Sequence, residues 1–214
     1  LFRFHRHCKK IFRRLYQNIF SIMNRISGSV YIWYPKDRNV GHCSLQIGEN
    51  NSPENYVSWW PDGTAKFSGR NNVLTSFVLH NDEIKQAPYV LIPKEYDIQA
   101  ENEQPHVTYH LHPDCFDLVK IQAAWQRIKT KSNPHYRMIG KNCADIVGRI
   151  LTEGASAPCR RYVEKNSRPG LFTTPRDIAA MLNQLAREGN VEKVVSPSRP
   201  KRSRSFIYVC LKMR

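Results

Sequence analysis

Two hydrophobic periods divide this 214-residue chain, and their order constrains its fold more than any other feature. Val30–Tyr34, Val40–Ile47 and Tyr56–Trp60 are apolar runs of strand length. They are separated by the turn Pro35-Lys36-Asp37-Arg38 and the polar stretch Gly48–Glu54, and closed by Pro61-Asp62-Gly63. Such runs with tight turns between them make an antiparallel meander. Tyr89–Ile92 and Val107–His112 read as further strands. From Cys115 the spacing changes to three and four. Phe116, Val119, Ile121, Ala124, Trp125 and Ile128 place a helix over Cys115–Lys131. A second helix is expected over Asn142–Glu153, with Ala144, Ile146, Val147, Ile150 and Leu151 on one face and Gly154 at the C′ position. A third starts at Thr174-Pro175, a Thr N-cap with Pro at N1, and runs to Glu188-Gly189. Strands first and helices afterwards predict an α+β domain, one antiparallel sheet packed against helices. Residues 63–88 show no pattern that divides them.

The net charge of +15 belongs to the two ends. Residues 1–26 carry seven Arg and Lys and no acid, and residues 196–214 carry six and no acid. The middle sets twenty basic residues against all eighteen acids, an ordinary near-neutral domain. Basicity is therefore a matter of anchoring or partners, not of fold. The expected organisation is a basic amphipathic helix in 1–28, a globular domain in 29–193 and a basic, flexible tail in 194–214. In residues 4–26, Phe4, Cys8, Ile11, Phe12, Leu15, Ile19, Ile22 and Ile26 recur at helical spacing with Arg and Lys mainly between them. Such a helix can lie on an anionic membrane surface, each basic residue contributing about 1 kcal/mol. A helix packed on the domain would show the same pattern. The tail segment 198–204 fits a nuclear import signal, a phosphate-binding patch, a second lipid contact or a solvated linker, and Phe206–Leu211 a terminal strand or a truncated continuation. No stretch reaches the roughly 18 apolar residues of a membrane span. Basic residues interrupt the N-terminal segment too often for a signal peptide. The initial Leu points to a trimmed piece of a longer chain. No basic stripe interleaved with aromatics crosses the middle, so no specific nucleic-acid partner is expected.

Six cysteines (Cys8, Cys43, Cys115, Cys143, Cys159 and Cys210) show neither a CxxC pair nor the spacing of a small secreted domain. A reducing compartment is expected, with most thiols simply buried. One cysteine stands apart. In Gly140-Lys141-Asn142-Cys143-Ala144-Asp145 a glycine-containing loop runs into a helix whose first turn holds Cys143. The unpaired N–H groups and the dipole of a helix start favour thiolate over thiol, and the same N–H groups can hold an oxyanion. Asn142 can add a side-chain donor or simply cap the helix. The second segment is Asn39-Val40-Gly41-His42-Cys43-Ser44-Leu45-Gln46-Ile47. Gly41 removes a side chain where a close approach matters. His42, Ser44 and Gln46 share one strand face; Cys43, with Leu45 and Ile47, takes the other and reads as core. Trp33, Trp59 and Trp60 can line a cleft for an acyl chain or can be plain core. His106, His110 and His112 share a strand face near Cys115, but their spacing matches no common zinc pattern, so the face reads as solvated and no metal is assigned.

Taken together, these segments resemble the circularly permuted papain-like enzymes, in which a His-bearing strand precedes an Asn-Cys helix start. Within that superfamily the chain is most similar to the Rho-inactivation-domain and IcsB-like effectors of bacterial pathogens. The similarity is carried by Val30-Tyr31-Ile32-Trp33, Asn39 through Leu45, Tyr56 through Pro61, Asp97 through Glu101 to Pro105, Trp125, Lys141 through Asp145, and Thr174-Pro175, roughly residues 30–190. The resemblance implies a permuted papain-like fold with Cys143 as nucleophile, His42 as base and an Asp between them orienting the histidine. Asp97 fits that third role by its separation from His42 and its following Glu and Pro. Asp82, Glu95 and Glu101 are rivals and Asp62 a weaker one. Asn142, Ser44 and Trp59 are the expected oxyanion and substrate contacts. The resemblance also implies a secreted virulence effector or toxin acting inside the host cell at a membrane. It would transfer a long-chain fatty acyl group from acyl-CoA, with no bound cofactor, to lysines of membrane-attached host proteins, small GTPases among them. The residues alone support Cys-His acyl chemistry. Hydrolysis (protease, deamidase, thioesterase or lipase) uses the same groups, and a non-enzymatic membrane adaptor would need none of them.

Overall fold

The structure, a computed structural model, describes residues 26–36, 41–50, 52–60, 84–85, 93–130, 135–136, 141–166 and 173–200. The expected helix over 4–26, the strands at 89–92 and 206–211, and Cys8 and Cys210 lie outside the described residues.

Seven strands and five α-helices are described: β1 (Gly28–Trp33), β2 (His42–Ile47), β3 (Tyr56–Val57), β4 (Ile84–Lys85), α1 (Lys94–Glu101), β5 (Val107–Leu111), α2 (Leu118–Lys129), β6 (His135–Tyr136), α3 (Cys143–Gly154), α4 (Ala157–Asn166), α5 (Pro175–Arg187) and β7 (Val191–Val195). Five strands form one sheet in the order β3-β2-β1-β5-β7, and β4 pairs with β6 apart from it. Every pairing in the main sheet is antiparallel, and β1 at its centre sets Trp33 opposite His42 and Ile32 opposite Cys43.

Side-chain alternation sorts this sheet into two faces. Val30 and Ile32 of β1, Cys43, Leu45 and Ile47 of β2, and Tyr109 and Leu111 of β5 join one core with Ile121 and Trp125 of α2, Ile146 and Ile150 of α3, and Leu182 of α5. Each such side chain contributes about 1.5–3 kcal/mol by leaving water. Tyr31, Trp33 and Tyr56 point the other way and meet Ile98 of α1. The sheet is thus covered on both sides where β1 and β2 run.

The α+β expectation describes this arrangement, and several finer expectations are corrected. The third strand ends at Val57 instead of Trp60, because Ser58 and Trp60 turn their polar groups to Asp97. The helix expected from Cys115 starts at Leu118, where Asp117 caps it by accepting from the amides of Val119 and Lys120. Gly154 is the last residue of α3, not its C′ position. A Cβ there would stand 2.3 Å from Ile121 Cγ1, so glycine is required by the close approach of α3 to α2. Residues 94–101, assigned to no element from sequence, form α1, whose buried residues are Asp97 and Glu101. Helix α4 and strand β7 were not expected, and β7 carries the sheet two residues beyond the boundary placed at 193. Cys115 and Cys159, expected as separate buried thiols, are joined in a disulfide across a separation of 44 residues. The face of His106, His110 and His112 is not simply solvated: His106 is fully buried, stacks on Tyr34 and accepts from the Tyr34 amide at Nδ1. Its Nε2 lies 3.0 Å from Glu103 Oε1. His110 Nδ1 pairs with Ser29 Oγ at 2.8 Å.

Candidate active site

Gly41 holds φ at +82°, and a Cβ on it would stand 2.5 Å from the Trp33 carbonyl oxygen. Only glycine turns the chain into β2 so close to β1. The next residue, His42, is therefore fixed by the first ladder pair of β2, opposite Trp33. Its ring is held between aromatics: Trp60 stacks on it at 4.2 Å and 18°, and the Trp33 ring lies 5.8 Å away.

Helix α1 brings Asp97, fully buried, to this ring. His42 Nε2 lies 3.3 Å from Asp97 Oδ2 and 3.1 Å from Ser58 Oγ. Three further groups donate to the same carboxylate: Tyr56 Oη to Oδ2 at 2.6 Å, Ser58 Oγ to Oδ1 at 2.7 Å and Trp60 Nε1 to Oδ1 at 2.8 Å. A buried carboxylate with so many donors is a fixed negative charge. Because the Ser58 hydroxyl proton goes to Asp97, its oxygen can only accept from His42. Nε2 therefore carries a proton, and Nδ1 is the nitrogen left for Cys143, the other group that raises the pKa of His42.

Electrostatics assign the protons. Burial pushes His42 down, but Asp97 and Cys143 together outweigh it and raise its pKa from 6.5 to about 10. Burial pushes Asp97 up, and it is outweighed by His42 and by the donations from Tyr56 and Ser58, so the carboxyl lies below its ordinary value. Burial and the charge of Asp97 push the Tyr56 phenol well up, which keeps it a neutral donor. Cys43 and Cys143 are the free cysteines among the described residues. Burial, reinforced by the negative charges of Cys143 and Asp97, pushes the Cys43 thiol well up. Cys43 is thereby an inert core thiol, and Cys143 is the sulfur against the imidazole.

Cys143 is N1 of α3, and a reciprocal cap fixes that position. Asn142 Oδ1 accepts from the Asp145 amide at 3.0 Å, while Asp145 Oδ2 accepts from the Asn142 amide at 3.1 Å. Asp145 is thus a first-turn acid that compensates the dipole of α3. Asn142 Nδ2 donates to the Thr173 carbonyl at 2.9 Å, tying the start of α3 to the residue before the N-cap of α5. The cap leaves the amides of Cys143 and Ala144 without acceptors among the described residues, two donors beside the sulfur.

Of the residues singled out from sequence, His42, Asp97 and Cys143 come together. Ser44 lies behind them, its hydroxyl 2.7 Å from Tyr56 Oη. Trp59 packs in the main core with its Nε1 unpartnered and Lys141 Nζ 6.0 Å from its ring centre. Among the rival acids, Glu95 is exposed, Glu101 is buried on α1, and Asp62 and Asp82 lie outside the described residues. Sequence reasoning missed Tyr56, Ser58 and Trp60 as the donors around Asp97. Their spacing of two, each with a polar tip, was the available signal.

The family model described as IcsB middle domain matches residues 13–104 and 85–201. The chain is also similar to two curated proteins named multifunctional-autoprocessing repeats-in-toxin. The one from Vibrio vulnificus is 37% identical over 76 residues, 29% of this chain. The one from Vibrio cholerae serotype O1 (strain ATCC 39315 / El Tor Inaba N16961) is 32% identical over 84 residues, 34% of this chain. Each match spans about 2% of the toxin's own length. No solved structure matches the chain.

Proposed function

Since the chain belongs to the IcsB middle-domain family, a family of bacterial effectors and toxins, we propose that it is a thiol-dependent acyltransferase with Cys143 as nucleophile, His42 as acid and base, and Asp97 as the group that orients His42. One observation carries this reading: Asp97 meets the His42 ring at Nε2, and Asp97 and Cys143 together raise its pKa to about 10. At neutral pH the site then holds an imidazolium between the Asp97 carboxylate and the Cys143 sulfur. The fold that suits this order, a His-bearing strand followed by a Cys-bearing helix start, is the permuted papain-like one.

In the proposed reaction the Cys143 thiolate attacks the carbonyl carbon of an acyl-CoA thioester. The oxyanion that forms is met by the amides of Cys143 and Ala144. The carbon–sulfur bond to coenzyme A breaks, the departing thiolate takes the Nδ1 proton of His42, and an acyl-enzyme thioester remains. A lysine amine of an acceptor then attacks, neutral His42 takes its proton, and collapse gives an amide and the Cys143 thiolate. The acceptors are membrane-attached host proteins, small GTPases among them, reached from an anionic membrane surface that residues 1–26 engage. Hydrolysis differs only in the second step, where water replaces the amine.

Palmitoyl-CoA turnover in the presence of vesicle-bound small GTPases tests the reading. Palmitoyl-lysine in the tryptic peptides, absent with Cys143→Ala, is the expected product. Free palmitate with no modified lysine would identify a hydrolase, and no CoA release above the Cys143→Ala background would overturn acyl chemistry altogether.

A further inference from the structure

Away from the thiol centre, three cations from three elements converge beside the outer strand of the sheet. Lys193 of β7 lies 5.9 Å from the Tyr109 ring centre, with Nζ 2.5 Å from Asn183 Oδ1. Arg199, in the turn after β7, lies 5.3 Å from the ring centre of Tyr34. Arg187 is one turn beyond Asn183 on α5 and rests on Gln184 Oε1 at 2.8 Å. Among the described residues no carboxylate is within ion-pair distance of any of the three. Glu192 alternates to the opposite face of β7 from Lys193, and Glu188 is held by Gln184 Nε2. Burial pushes the Lys193 ammonium down, and the charges of Arg199 and Arg187 push it further. Asn183 Oδ1 also accepts from Tyr109 Oη at 2.9 Å, which leaves its Nδ2 a donor without a partner among the described residues.

A cleft of ≈ 570 Å³ between the C-terminal half of α5 and β7 is lined by Asn183, Ala186, Arg187, Val191, Glu192 and Lys193, and the charge of Arg199 reaches Lys193 from outside that lining. We propose that this cleft binds a phosphate-bearing anion, with Arg187, Lys193 and Arg199 supplying the charge and Asn183 Nδ2 a neutral donor. Planar guanidinium forks and an ammonium match phosphate oxygens, and the bound anion relieves the repulsion that Arg187 and Arg199 exert on Lys193. None of the lining residues bonds to His42, Asp97 or Cys143, so the site stands or falls independently of the acyl chemistry.

Calorimetric titration of the full chain with inorganic pyrophosphate at low ionic strength tests the site. Arg187→Gln, Lys193→Met and Arg199→Gln should each weaken binding by about tenfold or more. Arg187 and Arg199 are exposed, so their replacement leaves the core intact. A second variant, Lys201→Gln with Arg202→Gln and Arg204→Gln, removes three charges from the adjoining tail, more than any single cleft variant, and should bind nearly as well as the parent chain. Unchanged affinity in the cleft variants, or an equal loss in the tail variant, would overturn the proposal. Co-sedimentation with phosphatidylcholine vesicles containing phosphatidic acid separates the two sources of such an anion. Vesicle binding that needs Lys193 and is displaced by pyrophosphate supports a lipid headgroup; pyrophosphate binding with vesicle binding indifferent to the cleft supports a soluble phosphate.

Discussion

Replacing Asp97 with Asn keeps the side-chain volume and removes the charge around which the site is built. The carboxylate takes three donors besides His42. An amide offers one acceptor oxygen and turns an NH₂ toward groups that themselves donate, so at least one of Tyr56, Ser58 and Trp60 is left unsatisfied in a buried place. The larger effect falls on His42. Without Asp97, burial, its largest single influence, is opposed only by Cys143, and its pKa should fall from about 10 towards or below 6.5. Removing one partner of a buried ion pair costs about 3–5 kcal/mol of stability. Loss of the orienting carboxylate in a comparable triad costs about 10⁴-fold in turnover, because the histidine no longer holds the right tautomer. Two assays check this: NMR titration of the His42 Cε1 proton, and the rate of acyl adduct formation in Asp97→Asn against the parent chain. An unchanged His42 titration with adduct formation within about tenfold of the parent would refute the proposed role of Asp97.

Stability should depend on pH in a window set by the same pair. His42 has a folded pKa raised above its unfolded value, so its contribution is full below about pH 6.5 and is lost as pH rises through about 10. Asp97 is lowered, so its contribution is present above about pH 3.8 and is lost as pH falls through its folded value. Urea unfolding should therefore show a decline from pH 6.5 to 10 that His42→Ala lacks; the same decline in both proteins would contradict it. Gly154→Ala places a methyl group against Ile121 and should destabilise by about 1–3 kcal/mol, partly relieved by Ile121→Val, as read by thermal or urea unfolding. Iodoacetamide at neutral pH should alkylate Cys143 far faster than Cys43, read by peptide mapping, and equal labelling would remove the distinction between the two thiols.

The two ends of the site were legible because each is written locally. Gly41-His42 and Asn142-Cys143 combine a backbone requirement with a reactive group, and the structure gives each glycine or cap a stated job. Asp97 was reachable only through family resemblance, since α1 turns acids inward and no apolar period marks it. Tyr56, Ser58 and Trp60 look like strand continuation. Their polar tips acquire meaning only when a carboxylate distant in sequence arrives among them. Strand β7 was missed because Glu192 and Lys193 interrupt its valines, as suits an edge strand with Val194 and Val195 exposed. Helix α4 buries only Cys159 and Val163, too little apolar surface to announce itself. Its Cys159 reaches Cys115 through the docking of α4 beside α3, which no spacing of cysteines records.

The most direct test of the central claim is intact-mass measurement after incubation with palmitoyl-CoA, comparing the parent chain with Cys143→Ala and His42→Ala. The account predicts a single hydroxylamine-labile palmitoyl adduct on the parent chain, none on Cys143→Ala, and much slower formation on His42→Ala. An adduct that persists without Cys143, or that forms equally fast without His42, would contradict it.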